Sequence, residues 1–295
     1  MDLKKLRIFN TVAERLSFTA AAETLHMAQP AVSIAVRKLE EELDLLLFHR
    51  QDRRIALTAE GVALKRHAER LLADAHRAQL EMAELRGLRK GTVRIGIPSM
   101  LGSYYFPEVL MAFKAAYPAL QLQVQEAGAR DIQRMIDRGE LDMGIIVREE
   151  VPPDLEAALF LREEMVVAVP LDHPFAQRES INPEALFAEQ LVLFRPGYFH
   201  REFINRLAEA NGQPLQVAFE TNLIPLIRAV VKKGFGITTF LRMVVEGDPE
   251  LHACPFTQPV WLDLCIAWKR NGYLSHADRR FVDFLLENAP IEKDS

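Results

Sequence analysis

Cysteine is scarce: the 295-residue chain has two, Cys254 and Cys265, too few for a disulfide framework and not arranged as CxxC. That usage suits reduced, buried thiols in a cytoplasmic protein. No apolar run approaches the roughly 20 residues that span a bilayer, so no membrane partner is expected. The opening Met1-Asp2-Leu3-Lys4-Lys5-Leu6-Arg7 interleaves charge with apolar residues, where a signal peptide needs an apolar core. Enzyme signatures are missing too: there is no G-x-S-x-G elbow, no P-loop and no H-E-x-x-H. Gly234-Phe235-Gly236 is a lone G-x-G before a strand, and His173, His252 and His276 lack metal-ligand spacing. The expectation is a protein with no catalytic residue, no metal and no cofactor.

What is present is a globular composition, 49% apolar and 26% charged, on a chain long enough for about two domains. The net charge of −5 is unevenly spread: residues 1–90 carry 16 Lys+Arg against 13 Asp+Glu, and the rest 20 against 28. A mildly basic front on an acidic body fits a DNA-binding head carried on something else.

Leu3, Leu6, Phe9, Val12, Ala13 and Leu16 recur at helical spacing. Ser17 or Thr19 can cap a second, short helix, Ala20–Leu25. After a tight connection at His26-Met27-Ala28 comes a helix from Gln29 to Leu43. Pro30 sits in its first turn, and Val32, Val36, Leu39 and Leu43 lie on one face. Gln29, Ser33 and Arg37, four apart, line the other face with Lys38 beside them, and such side chains read base edges and grip phosphates in a major groove. An ordinary solvated helix face has the same periodicity, but short helix, three-residue turn and polar-faced helix together make a helix-turn-helix. Two apolar arms, Leu45–Arg50 and Ile55–Leu57, then flank a basic loop and predict a β-hairpin wing, from which Arg50, Arg53 and Arg54 could reach phosphates or a minor groove.

Thr58 is expected to cap a long helix running to about Arg89. Gly61, Leu64, Ala68, Leu71, Ala75, Ala78, Met82 and Leu85 follow alternating steps of three and four, an a/d seam held for more than three heptads. A helix of some thirty residues is about 45 Å long, too long to pack wholly on one small domain. The seam predicts dimerisation with a second copy; docking on the chain's own body is the alternative.

Phe18-Thr19-Ala20-Ala21-Ala22-Glu23, Gln29-Pro30-Ala31-Val32-Ser33, Leu39-Glu40-Glu41-Glu42-Leu43, Leu47-Phe48-His49-Arg50 and Leu57-Thr58-Ala59-Glu60-Gly61 together resemble the LysR-type transcriptional regulators, and the resemblance covers the whole chain. Ala28 departs from the family's usual Ser or Thr cap, and Asp44 replaces a glycine. Ile34 and Ala35 stand at positions often polar in relatives, and Ile34 suggests contact with a thymine methyl.

From Gly91 strands alternate with helices: Thr92–Ile97, a helix from Pro98-Ser99-Met100 through Phe113, Leu120–Val124, a helix around Ile132–Ile136, and Leu141–Val147. A second set holds strands Met165–Val169, Leu191–Phe194 and Leu215–Phe219, helices His200–Ala210 and Ile224–Lys233, and Gly236–Phe240. Strand Leu262–Trp268 and helix Ala277–Leu286 end the series. Such alternation predicts an α/β body with a mostly parallel, helix-covered sheet.

The resemblance implies a winged helix-turn-helix over 1–58, a dimerisation linker helix over 59–90, and over 91–295 an effector domain of the periplasmic-binding-protein type. Its subdomains would be 91–162 with 267–295, and 163–266. Loops that enter helix N-termini present unpaired N–H groups, so Ser99 and Met100 mark a candidate anion site. By resemblance the facing wall includes Gly128, Val147, Phe203, Asn222 and Thr238, with Arg195 and His200 as cationic contributors. The implied partners are double-stranded promoter DNA, a small anionic or carboxylate effector, further copies of the chain as dimer or tetramer, and RNA polymerase. An enzyme or a pure solute binder are the competing classes; the second would leave the first ninety residues without a task.

Overall fold

The computed structural model describes residues 1–51, 54–85 and 91–290, with the backbone alone at 50, 51, 54, 76, 77, 80 and 83–85. The chain divides into two compact units, one holding residues 1–88 and the other nearly all of 89–295.

In the first unit α1 (Leu3–Arg15) starts at Asp2, whose carboxylate accepts the Lys5 N–H at 2.8 Å. Helix α2 (Phe18–Thr24) is capped by Ser17, whose hydroxyl accepts the Ala20 N–H; Thr19 lies inside the helix, exposed. Helix α3 (Gln29–Leu43) begins at Ala28 with no side-chain cap and ends at Asp44, which adopts the left-handed conformation (φ 52°) that a glycine would take at lower cost. Val32, Val36 and Leu39 are fully buried with Phe9 and Phe48. A hairpin follows, β1 (Phe48–Gln51) paired antiparallel with β2 (Arg54–Leu57). Its first arm starts later than the apolar run suggests, and Leu46 stands 71% exposed ahead of it. The buried Glu40 carboxylate accounts for this, accepting the N–H groups of Leu47 (2.9 Å) and Phe48 (3.4 Å) and fixing where the strand begins.

Thr58 opens α4 (Ala59–Leu85) by accepting the Gly61 N–H at 2.9 Å while its hydroxyl donates to the Leu46 carbonyl at 2.7 Å. The expected end at Arg89 falls outside the described residues. The predicted seam divides in two. Gly61 lies so close to the Leu47 carbonyl that a β-carbon would collide with it, and Ala68 is fully buried in the winged core with Leu64 packed against that core. These positions face the chain's own domain, which corrects the reading of a seam continuous from Gly61. Further along, Leu71 is 43% and Met82 51% exposed, Ala78 is exposed and Ala75 half-buried. The Leu85 side chain lies outside the described residues.

The second unit opens with β3 (Thr92–Ile97), α5 (Ser99–Tyr104), α6 (Phe106–Ala116), β4 (Gln121–Glu126), α7 (Ala129–Arg138) and β5 (Met143–Val147). Two helices replace the single one expected after Pro98, because Pro107 has no N–H to continue a helix and instead begins α6. Next come β6 (Leu155–Pro170), α8 (Pro183–Phe187), β7 (Leu191–Leu193), α9 (Phe199–Asn211), β8 (Val217–Glu220), α10 (Ile224–Lys232), β9 (Thr238–Leu241), α11 (Arg242–Glu246), β10 (Leu251–Lys269) and α12 (His276–Glu287). The main sheet runs β4-β3-β5-β10-β6-β9, with β7 and β8 pairing separately. It is mixed and not mostly parallel: β4, β3 and β5 run parallel, while β10, β6 and β9 are joined antiparallel.

The long strands β6 and β10 make two halves out of this unit. Leu264–Trp268 of β10 pair with β5 in the first half, whereas β6 residues Met165–Ala168 carry β9 in the second. Leu264, Cys265 and Ile266 therefore lie in the first half, ahead of the boundary expected after residue 266. At the crossover Glu164 is buried and ion-paired with Arg242, and Glu163 accepts the Met243 N–H at 3.1 Å, which fastens α11 to the crossing strand. Among the described residues no helix is long and apolar enough to cross a membrane.

Candidate nucleic-acid interface and ligand cleft

The buried apolar stripe of α3 leaves the opposite stripe facing out. Gln29, Pro30, Arg37 and Lys38 are exposed, Ile34 is 43% exposed and Ser33 is half-buried. Gln29 Nε2 donates to Ser33 Oγ at 2.9 Å, and Arg37 lies 3.6 Å from Glu41. Both are exposed contacts within one helix, worth under about 1 kcal/mol, so a partner with better acceptors displaces them easily. The structure thus brings Gln29, Ser33, Ile34, Arg37 and Lys38 onto one surface. Arg50 and Arg54 belong to the hairpin strands, but their side chains, and the whole of Arg53, lie outside the described residues. Sequence reading missed Glu40. Its run of three glutamates carries no local signal of burial, and only the burial of the wing's first N–H groups shows its role.

In the second unit a pocket lies between the two halves. The first half contributes Ser99, Met100 and Leu101 from α5 and Ile145, Ile146 and Val147 from β5. The second half contributes Phe194 and the turn Tyr198-Phe199-His200 that opens α9, and the crossing strand adds Leu262 and Leu264. His200 is only 8% exposed, its ring lies 5.7 Å from that of Phe194, and its Nε2 has no hydrogen-bond partner. A buried nitrogen left unpaired costs about 1–3 kcal/mol. Burial pushes the imidazole pKa down to about 3, so it is neutral near pH 7 and is not the cationic contributor expected.

Of the nine positions anticipated here, Ser99, Met100, Val147 and His200 line the pocket. The other five have different surroundings. Arg195 is exposed and off the lining, and its backbone N–H donates to Asn222 Oδ1 at 2.9 Å, which occupies the Asn222 amide oxygen. Thr238 is buried and donates to the Val192 carbonyl at 2.6 Å, holding β9 beside β7. The Phe203 ring lies 6.3 Å from those of Phe199 and Phe256, as core packing. Gly128 is a point of close approach, since a β-carbon there would overlap the Gly197 carbonyl of the opposite half. Leu262, Leu264 and the aromatic rings were missed because nothing in their local sequence distinguishes a pocket wall from a core.

Polar contacts fasten the halves around this pocket. Tyr198 Oη donates to Glu126 Oε1 at 2.6 Å, and burial together with that carboxylate raises the phenol's pKa well above its usual range. Arg130 lies 3.6 Å from Glu202, and Arg206 lies 3.6 Å from Glu150. On α10 Arg228 donates to the Tyr104 hydroxyl at 2.7 Å and is itself held by the buried Asp248. Gly197 N–H donates to Glu202 Oε1 at 3.0 Å, so the first turn of α9 already faces a carboxylate of its own. The helix that follows Pro98 has six residues and no side-chain cap at its start.

Both cysteines are buried and free, and burial pushes their thiols up to about 11, so they remain protonated near neutral pH. Among the described residues no group of three His, Cys, Asp or Glu is placed to hold a metal ion.

Comparison with known proteins matches two family models along the chain. Residues 3–62 match the bacterial regulatory helix-turn-helix protein, lysR family, and residues 86–290 match the LysR substrate binding domain. A probable RuBisCO transcriptional regulator from Cyanophora paradoxa is 31% identical over 296 residues, covering 97% of this chain and 91% of that protein. Among solved structures, a full-length single-residue variant of OxyR from Pseudomonas aeruginosa superimposes with a TM-score of 0.71 at 25% identity, over 98% of this chain and 96% of that one. Full-length CbnR in complex with its target DNA gives a TM-score of 0.69 at 22% identity, over 98% and 100% of the two chains.

Proposed function

The chain belongs to the LysR family of transcriptional regulators, and from that membership we propose that it binds promoter DNA through α3 as an assembly of identical copies, under the control of a small molecule held in the cleft. The observation that carries the reading is the outward stripe of α3, where a bidentate amide, a hydroxyl, an apolar contact and two cations share one helix face. The fold's likeness to CbnR, whose structure holds target DNA, supports a DNA partner. Arg50, Arg53 and Arg54 of the hairpin are assigned to the DNA backbone or minor groove.

Self-association is supported by the apolar side chains that α4 leaves exposed, Leu71 and Met82 above all. A second copy covering them would set two α3 helices on one duplex, as dimeric readers require. The effector acts by binding two arrangements of that assembly unequally, and RNA polymerase is the partner that reads the outcome. Such a regulator works in the cytoplasm.

Titration of full-length protein with operator and random duplexes tests this. Gln29→Ala and Ser33→Ala should each reduce the preference for operator by about 5–150-fold, equivalent to 1–3 kcal/mol, and leave the melting temperature unchanged. An unaltered preference in both variants would refute the assignment of α3.

A further inference from the structure

We propose that the effector selected by this cleft is an uncharged, largely apolar small molecule that presents one hydroxyl or amide to the His200 ring, and is not a carboxylate. The inference rests on the reading of the cleft as the effector site and adds the chemistry of its ligand.

Among the described residues the lining contains no Lys, Arg, Asp or Glu. Of the cations near it in sequence, Arg195 is exposed and off the wall, and Arg201 donates to Asn205 Oδ1 at 2.9 Å and to the Phe194 carbonyl at 3.1 Å. Of the charges around the cleft, Glu126 accepts from Tyr198 and Glu202 accepts the Gly197 N–H, while the cations there are already paired with carboxylates, Arg130 with Glu202, Arg206 with Glu150 and Arg228 with Asp248. An incoming carboxylate would exchange its hydration for leucine, isoleucine and phenylalanine side chains, gaining no cation. An uncharged ligand meets none of these penalties, and its apolar body is received by the same walls.

His200 lines the pocket with a neutral, buried imidazole unpaired at Nε2, and a ligand reaches that nitrogen once the ring turns toward the pocket. A hydroxyl or amide can donate or accept, so it satisfies that nitrogen in either tautomer. The Tyr198 hydroxyl on the wall is already bonded to Glu126, and Ser99 adds a further hydroxyl that orients the same substituent.

Calorimetric titration of the full-length protein at pH 7.5 with two size-matched pairs, benzamide against benzoate and 2-naphthol against 2-naphthoate, tests the proposal. The uncharged member of at least one pair should bind at least about tenfold more tightly than its carboxylate. His200→Phe should lose about tenfold for that probe, and His200→Gln, which keeps a hydrogen-bonding group, should retain most of it. Tighter binding of the carboxylates overturns the proposal, as does binding of none of the four probes. Unchanged affinity in a His200→Phe protein that melts as the wild type does overturns the role of His200. Operator binding by the same preparation is scored separately. Preference for uncharged probes with no operator binding would sink the regulator reading alone, while operator binding with carboxylate preference would sink only the ligand class.

Discussion

On α3 the polar side chains stand in solvent with partners from their own helix, Gln29 with Ser33 and Arg37 with Glu41, whereas the cleft keeps His200 under cover with Nε2 unpaired. The exposed face costs the fold little and can exchange weak intrahelical contacts for those of a duplex. A covered polar group without a partner costs the fold about 1–3 kcal/mol. The surface suits recognition of a large polar partner, and the cleft suits a switch.

Damage to one unit tests whether the other responds. Leu39→Ala, which truncates a fully buried side chain beneath the α3 face, should cost the first unit about 2–5 kcal/mol and leave the melting of the second unit unchanged. Scanning calorimetry of the whole chain reads this directly, and a joint fall of all transitions would show that the two units unfold as one.

A smaller effect separates burial that serves structure from burial that serves a ligand. Asp278 also has an unpartnered oxygen, Oδ1, but Oδ2 closes a capping box with Ser275 at the start of α12, away from the cleft lining. Burial first, then the nearby Asp142, push its carboxyl from an ordinary 3.8 up to about 7. The folded chain therefore holds this proton over a range where the unfolded chain has lost it, and the stabilisation declines as pH rises from about 4 to 7. Asp278→Asn lacks that proton and should gain about 1–2 kcal/mol relative to wild type between pH 5 and pH 8. Urea titrations at both values check this; parallel losses in the two proteins would contradict it.

The smallest effect concerns how tightly the cleft is fastened. Tyr198→Phe removes the hydroxyl that donates to Glu126 and should weaken the contact by about 1 kcal/mol. Amide exchange at Gly128–Arg130 should then quicken about fivefold, and identical protection in both proteins would mean that the bond does not hold the halves together.

The α3 face was legible because its residues fall within ten positions of one helix, where a period of 3.6 decides what points outward. The cleft was legible only in part. Ser99, Met100, Val147 and His200 belong to it, yet Asn222 and Thr238 bond backbone groups, Phe203 packs against core rings and Arg195 is exposed off the lining. The first ten residues of β6, Leu-Glu-Ala-Ala-Leu-Phe-Leu-Arg-Glu-Glu, have the composition of a helix and escaped detection as a strand. Their pairing with β10 overrides that preference. In β10, Pro255 and Pro259 hid the strand's first half, where the register shifts between Pro255 and Val260.

Local order along the chain determined the helix-turn-helix, the existence of α4 and the succession of strands and helices, because each depends on near neighbours and a short period. Tertiary structure decided which half of the α4 seam faces its own domain, where β6 and β10 cross between the halves, and that His200 is neutral and unpaired. Those outcomes depend on residues separated by up to about half the chain, and the burial that sets a charge state or closes a pocket exists only after such segments have met.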